Sequence, residues 1–286
     1  MWMLLVLVYG LLKGGREVVK KKCLERNGVA EVLFFYTLFG LLIIAAEFVI
    51  LKNPIMPGDM GLMPLIFVKS FVIFLAWILS FLVIKNMPIS LYGVIDMSRV
   101  LFAYFFGIVL LREKITVFQL IGMPMVLVGL FLLRLVKGGK NENEHVEPKY
   151  VIIAIISCAL NAVSGFLDKV IMQRDITSGQ LQFWYMLFMV ILYGIAMMVR
   201  KSSIDFKTLS RNYWIPLLAI MFIIADRALF VANGYPDSKV TIMTLIKQSS
   251  CFVTIALGKI IYKEKNILKK AICAAVILAG ILIAMI

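Results

Sequence analysis

The chain has 286 residues, 62% of them hydrophobic and only 16% charged, and its mean hydropathy is +0.98. A water-soluble domain has an apolar share nearer one half, so a soluble fold is excluded; long apolar runs parted by short polar knots mark a polytopic membrane protein. Its 30 Lys and Arg outnumber its 16 Asp and Glu, but they lie largely in connectors, where they set membrane orientation and do not point to nucleic acid.

The chain opens on the apolar "MWMLLVLVYG", which lacks the basic start and small-residue cleavage pattern of a signal peptide. About 20 residues of helix cross hydrocarbon, because a spanning backbone must satisfy its own hydrogen bonds. Spans on that basis fall at roughly 1–21, 30–51, 62–84, 89–110 and 116–136, then 150–171, 180–199, 214–234, 238–261 and 268–286. "KNPIMPGD" (Lys52–Asp59) and "NGYPDSK" (Asn233–Lys239) carry the Pro and Gly of turns. The longest polar segment, "KGGKNENEHVEPK" (Lys137–Lys149), is the expected linker between a first unit, 1–136, and a second, 150–286.

The two units resemble each other. "FFYTLF" (Phe34–Phe39) matches "FWYMLF" (Phe183–Phe188), and Gly107 with Glu113 and Lys114 matches Gly258 with Glu264 and Lys265. Five spans per unit is an odd number, so the copies must lie in opposite orientations. The expected fold is all-α, about ten transmembrane helices in two inverted five-helix repeats. The knots "LREK" and "YKEK" are then the turns between spans four and five and between nine and ten. Glu113 and Glu264 are expected to be structural turn residues that cap helix ends near the headgroups.

The stretch "LLREKITVFQLIGMPMVLVGL" (Leu110–Leu130) resembles the EamA-type half of the drug/metabolite transporter superfamily, in Gly107, Glu113, Gln119, Gly122 and Gly129. Gly258, Glu264 and Gly280 fit the same scheme in the second unit, where Lys270 stands at the Gln119 position and Cys273 replaces Gly122. The resemblance implies a ten-helix carrier of small metabolites with a central cavity lined mainly by helices three, four, eight and nine. It implies no particular substrate.

Ionisable residues at membrane depth usually line a cavity, pair, or lie near an interface. Span one carries Lys13, Arg16 and Glu17, span two Glu47, span three Lys69, span four Asp96 and Arg99, and span six Asp168 and Lys169. Span eight carries Asp226 and Arg227, and span nine Lys247 with Gln248. Asp96 and Arg99 share a helical face, where they either neutralise each other or jointly hold a zwitterion. The repeat spacing sets Lys247 opposite Asp96, in a polar stripe with Thr241, Thr244 and Ser250. The candidate substrate cavity is therefore Asp96, Arg99, Lys247, Asp226, Arg227 and Gln248, with Asp96 or Asp226 as a coupling carboxylate; the alternative is a purely structural ion-pair network. Asp226 and Arg227 are adjacent and cannot share a face. Glu47 and Lys169 are expected near an interface, snorkelling or capping a helix end, and Lys69 is open to either reading. "GLLKGG" (Gly10–Gly15), Ser164-Gly165, Gly122 and Gly129 are candidate close approaches between helices, and Pro124 would loosen span five.

No metal site is expected, since Cys23, Cys158, Cys251 and Cys273 are scattered singly and His145 is the sole histidine; no cofactor is expected either. GxGxxG, Walker and GxSxG patterns are missing, so the chain does not read as an enzyme. The expected function is secondary transport of a small polar metabolite, such as an amino acid, across the inner (plasma) membrane by alternating access, with a proton as coupling ion. A lipid-modifying membrane enzyme and a non-transporting scaffold are the alternatives. The expected partners are the solute and the lipid bilayer, with no nucleic acid; a homodimer is left open. Counting Lys and Arg places the connectors after the odd-numbered spans in the cytoplasm and both termini outside, opposite to the orientation expected for ten-helix members of the family.

Overall fold

The computed structural model describes residues 2–52, 54–102, 105, 117–135, 147–199, 212–235, 238, 243, 246–264 and 266–284. Ten α-helices run through them: α1 (Trp2–Leu24), α2 (Val29–Leu51), α3 (Met63–Asn86), α4 (Ile89–Asp96), α5 (Val117–Leu135), α6 (Pro148–Met172), α7 (Ser178–Val199), α8 (Trp214–Gly234), α9 (Ser249–Tyr262) and α10 (Ile267–Ala284). A short 3₁₀ turn, Met60–Leu62, leads into α3, and the described residues contain no strand.

Local chemistry explains the helix ends. Pro64 and Pro148 stand in the first turns of α3 and α6, where a missing N–H costs nothing. Before α7, Thr177 Oγ1 accepts from the Gln180 N–H at 3.2 Å while Gln180 Oε1 accepts from the Thr177 N–H at 2.9 Å, a reciprocal cap. The helices α2 and α9 stop at Lys52 and Lys263, both left-handed at φ 51°.

By length and apolar character α2, α3 with its lead-in turn, α6, α7 and α8 are able to cross a membrane. Helix α1 is apolar on one side only. Lys13, Arg16, Glu17 and Lys20 recur at helical spacing and are all buried, whereas Leu4, Leu7, Val8 and Leu11 are exposed. This is amphipathicity turned inside out: the polar stripe faces the bundle and the apolar stripe faces lipid.

Every extensive helix pairing among the described residues joins one half of the chain to the other. α1 packs on α8 and α9; its counterpart α6 packs on α3 and, less extensively, α4; α2 lies on α7, α4 on α9, and α5 on α10. These exchanges follow the pseudo-twofold symmetry of an inverted repeat, and they interlock the halves. Apolar attraction between helices is absent in lipid, so close approach must supply the contact energy. A Cβ on Gly14 would lie 2.5 Å from Val253 Cβ, and one on Gly280 would lie 2.7 Å from the Gly122 carbonyl. Gly10 against Ser249 and Gly93 against Thr254 are equally tight. Gly165 departs from expectation: among the described residues no heavy atom lies within 4 Å of the space its Cβ would fill, because it sits on an exposed face of α6.

Toward one end of the bundle the described residues pack an aromatic layer and a set of polar contacts. Tyr36, Trp77, Phe81 and Phe222 form an aromatic layer with ring centroids 4.8–5.8 Å apart. Beyond it the Asn212 amide donates to Asn27 Oδ1 at 2.6 Å and to the Cys23 carbonyl at 3.1 Å, and Lys21 Nζ donates to the Met87 carbonyl at 2.8 Å.

Candidate functional site

The helices of spans four and nine are both broken, and at the same place in the repeat. After Asp96 the backbone turns at Met97 and Ser98 before helix resumes at Arg99; in span nine it turns at Gln248. The Ser98 N–H bonds the Ile95 carbonyl at 2.9 Å, and the Cys251 N–H bonds the Gln248 carbonyl at 3.0 Å, both i→i−3 contacts. Met97 and Gln248 differ by the 151-residue repeat spacing. Interrupted helices at the centre of a membrane bundle expose backbone polar groups and are tolerated where they line a cavity or meet buried polar side chains.

The buried charges gather beside these breaks. Lys13 Nζ of α1 bonds Asp96 Oδ2, and Arg99 Nε lies 2.7 Å from Asp96 Oδ1. One turn along α1, Arg16 Nη1 donates to Asp226 Oδ1 at 3.1 Å and its guanidinium lies 4.6 Å from the centre of the Phe222 ring. Tyr185 completes that group, its hydroxyl donating to Asp226 Oδ2 at 3.0 Å. Lys69 Nζ lies 3.0 Å from Asp168 Oδ1 and 3.6 Å from the centre of the Tyr185 ring. Lys247, half-buried on the helical segment before the second break, lies 5.8 Å from the centre of the Tyr9 ring, which Arg16 approaches at 6.0 Å. Tyr9 and Tyr185 thus join the ion pairs into one cluster drawn from six helices and the broken segment of span nine.

A family model described as the EamA-like transporter family matches residues 1–135 and 148–286. The chain belongs to the EamA-like transporter family. It is accordingly a multi-pass membrane transporter of the drug/metabolite transporter superfamily. Solved structures match as well; one, described only as a crystal structure of a protein, covers 99% of this chain and 96% of its own at a TM-score of 0.69 and 14% identity, a likeness of fold alone. No curated protein matches the sequence.

Within this EamA-family chain the cavity candidates separate. Asp96, Arg99 and Asp226 join the cluster through direct ion pairs, and Lys247 joins it at Tyr9. Arg227 turns away from Asp226 to meet Glu47 of α2 through Nη1 and Nη2, at 2.8 and 3.0 Å, and Gln182 through Nε at 2.7 Å. Glu47, expected near an interface, is thus ion-paired and partly exposed. Gln248 is buried at the break itself. Asp96 and Lys247, which the repeat spacing sets opposite each other, form no ion pair; among the described residues the partners of Asp96 are Lys13 and Arg99. Lys169 donates to the Ser238 hydroxyl at 2.8 Å and the Asn233 carbonyl at 3.0 Å.

Glu264 lies across the repeat boundary from the helix it serves. Its Oε1 accepts from the Ile89 N–H at 2.7 Å and its Oε2 from the Ser90 N–H at 3.2 Å and from the Ser90 hydroxyl, with Lys270 Nζ 3.4 Å away. A carboxylate there satisfies the first free amides of α4 and complements its dipole. Glu113, Thr241 and Thr244 lie outside the described residues. The family-pattern glycines Gly122, Gly129 and Gly280 lie at the α5–α10 crossing. Lys13 and Arg16 are the site residues that span-by-span reading left out of the candidate cavity; their signal was the i, i+3, i+4, i+7 spacing of charges on α1.

Proposed function

We propose that this protein is a secondary carrier that moves a small polar solute across the inner membrane by rocking its two interlocked halves around the charge cluster. The observation that carries this reading is the pair of repeat-related helix breaks at Met97 and Gln248, with Asp96, Arg99 and Lys247 beside them. Broken helices in both halves give a solute partly freed backbone groups and charged side chains at one depth. The aromatic layer and the Asn27–Asn212 contact support a state closed at the end that bears the α1–α2 and α9–α10 turns. The basic residues of that end, Lys21, Lys22, Lys85, Lys263 and Lys269, favour its cytoplasmic placement.

Asp226 is the better-placed coupling carboxylate. Protonating Asp96 strands two cations, whereas protonating Asp226 strands only Arg16, which keeps the Phe222 face. Uptake into vesicles containing the purified protein tests both parts of the reading. Saturable flux driven by an imposed pH gradient is expected, with Asp226→Asn retaining solute exchange but losing the response to the gradient. A tight vesicle preparation that moves none of a panel of amino acids, organic acids, sugars, phosphates and amines would sink the carrier reading.

A further inference from the structure

We infer that the solute is an organic anion whose carboxylate, phosphate or sulfonate group sits between Arg99 and Lys247. The inference rests on the carrier reading above and adds to it the sign of the cargo. Among the described residues, the cluster contains six cations, Lys13, Arg16, Lys20, Lys69, Arg99 and Lys247, and four carboxylates, Glu17, Asp96, Asp168 and Asp226. Four cations have their own acid: Lys13 with Asp96, Arg16 with Asp226, Lys20 with Glu17 at 2.8 Å and Lys69 with Asp168. Arg99 and Lys247 are left over. Pairs that close on themselves, such as Glu47 with Arg227 or Glu264 with Lys270, do not change the balance.

Geometry singles out the same two residues. Arg99 reaches Asp96 only through Nε, at Oδ1, while Lys13 holds Oδ2, and its terminal nitrogens bond no described residue. With 22% of its side chain accessible, Arg99 is the least buried partner in the Asp96 group. Lys247 forms no ion pair with a described carboxylate and rests 5.8 Å from the centre of the Tyr9 ring. On α1, Tyr9, which Lys247 approaches, lies one turn from Lys13, whose partner Asp96 holds Arg99, so the cations of the two broken helices lie beside adjacent turns of one helix. A guanidinium offers a planar pair of N–H donors and an ammonium a compact charge, a combination suited to a bidentate oxyanion. A zwitterion would need a free acid for its ammonium, and each described acid of the cluster is already engaged. An anion removes the excess charge from the low-dielectric interior when it binds, so the loaded form is better placed to cross than the empty one.

The test uses the full chain in two formats. In detergent, thermal unfolding is followed with succinate, glycerol 3-phosphate and ethanesulfonate against alanine, putrescine and glucose. In vesicles, uptake of labelled versions of the same compounds is measured for the wild type and for Arg99→Gln, Arg99→Lys, Lys247→Gln and Lys247→Arg. At least one anion is expected to raise the wild-type unfolding temperature, and the Gln variants to weaken its apparent affinity by roughly tenfold or more, with partial rescue by the charge-keeping variants. Rescue separates charge from folding damage. Flux of alanine, putrescine or glucose with no response to any anion overturns the anionic assignment and leaves the carrier reading standing. Absence of flux for every compound counts against the carrier reading, and absence of stabilisation by every anion, whatever the flux, overturns the assignment itself.

Discussion

Asp96 and Asp226 are held by the same helix, one turn apart, yet in different ways. Asp96 lies between two cations, Lys13 and Arg99, and among the described residues has no neutral donor beyond the weak contact of Cys158 Sγ at 3.9 Å. Asp226 has one cation, Arg16, and takes its second bond from the neutral Tyr185 hydroxyl. The first arrangement carries surplus positive charge at a helix break; the second is balanced and braced by aromatic rings. In the carrier reading proposed above, solute attraction belongs to the Asp96 side and proton exchange to the Asp226 side, although both aspartates would read alike as buried acids in membrane helices.

The sharpest way to break that comparison is to neutralise each acid. Asp96→Asn leaves the buried Lys13 and the partly buried Arg99 without a carboxylate and is expected to destabilise the protein by about 3–5 kcal/mol, the range for breaking a buried pair by removing one partner. Asp226→Asn keeps a side-chain oxygen for Tyr185 and the Phe222 face for Arg16, and is expected to cost about 1–3 kcal/mol. Thermal unfolding in one detergent measures both, and equal losses would dissolve the distinction. Lys13→Met combined with Asp96→Leu removes the charges together, so a double-mutant cycle should return a favourable coupling term well above the noise of the single changes.

A steric test comes next. Gly14 lets α1 carry its charges into the centre, since a Cβ there meets Val253 at 2.5 Å and the Ser250 carbonyl at 2.7 Å. Gly14→Ala should cost about 1–3 kcal/mol through overpacking and displace Lys13 and Arg16 from both acids. Gly165→Ala, on the open face of α6, should be neutral or gain up to about 1 kcal/mol from helix propensity alone. Solute flux together with unfolding temperature checks the pair: loss at position 14 and none at 165 is the expected outcome.

Much of this architecture was legible in the sequence, and the rest was hidden for a definite reason. The apolar runs mark the helices, and the paired "FFYTLF" and "FWYMLF" segments mark the repeat, because both depend on local composition and order. Adjacent Asp226 and Arg227 had to face different ways, and they do. Lys13 with Asp96, Arg16 with Asp226 and Lys69 with Asp168 are instead contacts between distant helices, at separations unrelated to the repeat spacing. They arise from the exchange of α1 and α6 between halves, which no local pattern encodes. The one available clue was on α1, where four charged residues share a face opposite a row of leucines. Such a stripe in a lipid-embedded helix has only the bundle interior to face. Glu264 shows the same limit from the other side: its sequence position marks a turn, but the helix it caps begins 175 residues earlier.

The smallest expected effect separates two tyrosines that the repeat makes equivalent. Tyr36 and Tyr185 are both fully buried, and both lean on Phe222, at 5.6 and 6.5 Å between ring centres. Only Tyr185 has a hydrogen-bond acceptor, Asp226; the Tyr36 hydroxyl has no partner among the described residues. The position of the first half that corresponds to Asp226 at the 149-residue spacing is Trp77, which cannot accept. Tyr185→Phe should therefore cost about 1–2 kcal/mol and reduce the pH-gradient response of uptake, because Asp226 loses its neutral donor. Tyr36→Phe removes a buried hydroxyl that bonds nothing described, and should be neutral or slightly stabilising with the pH response unchanged. Unfolding temperature and gradient-driven flux, measured on both variants, decide it: the same response from the two would mean that the repeat symmetry governs these tyrosines more than the carboxylate does.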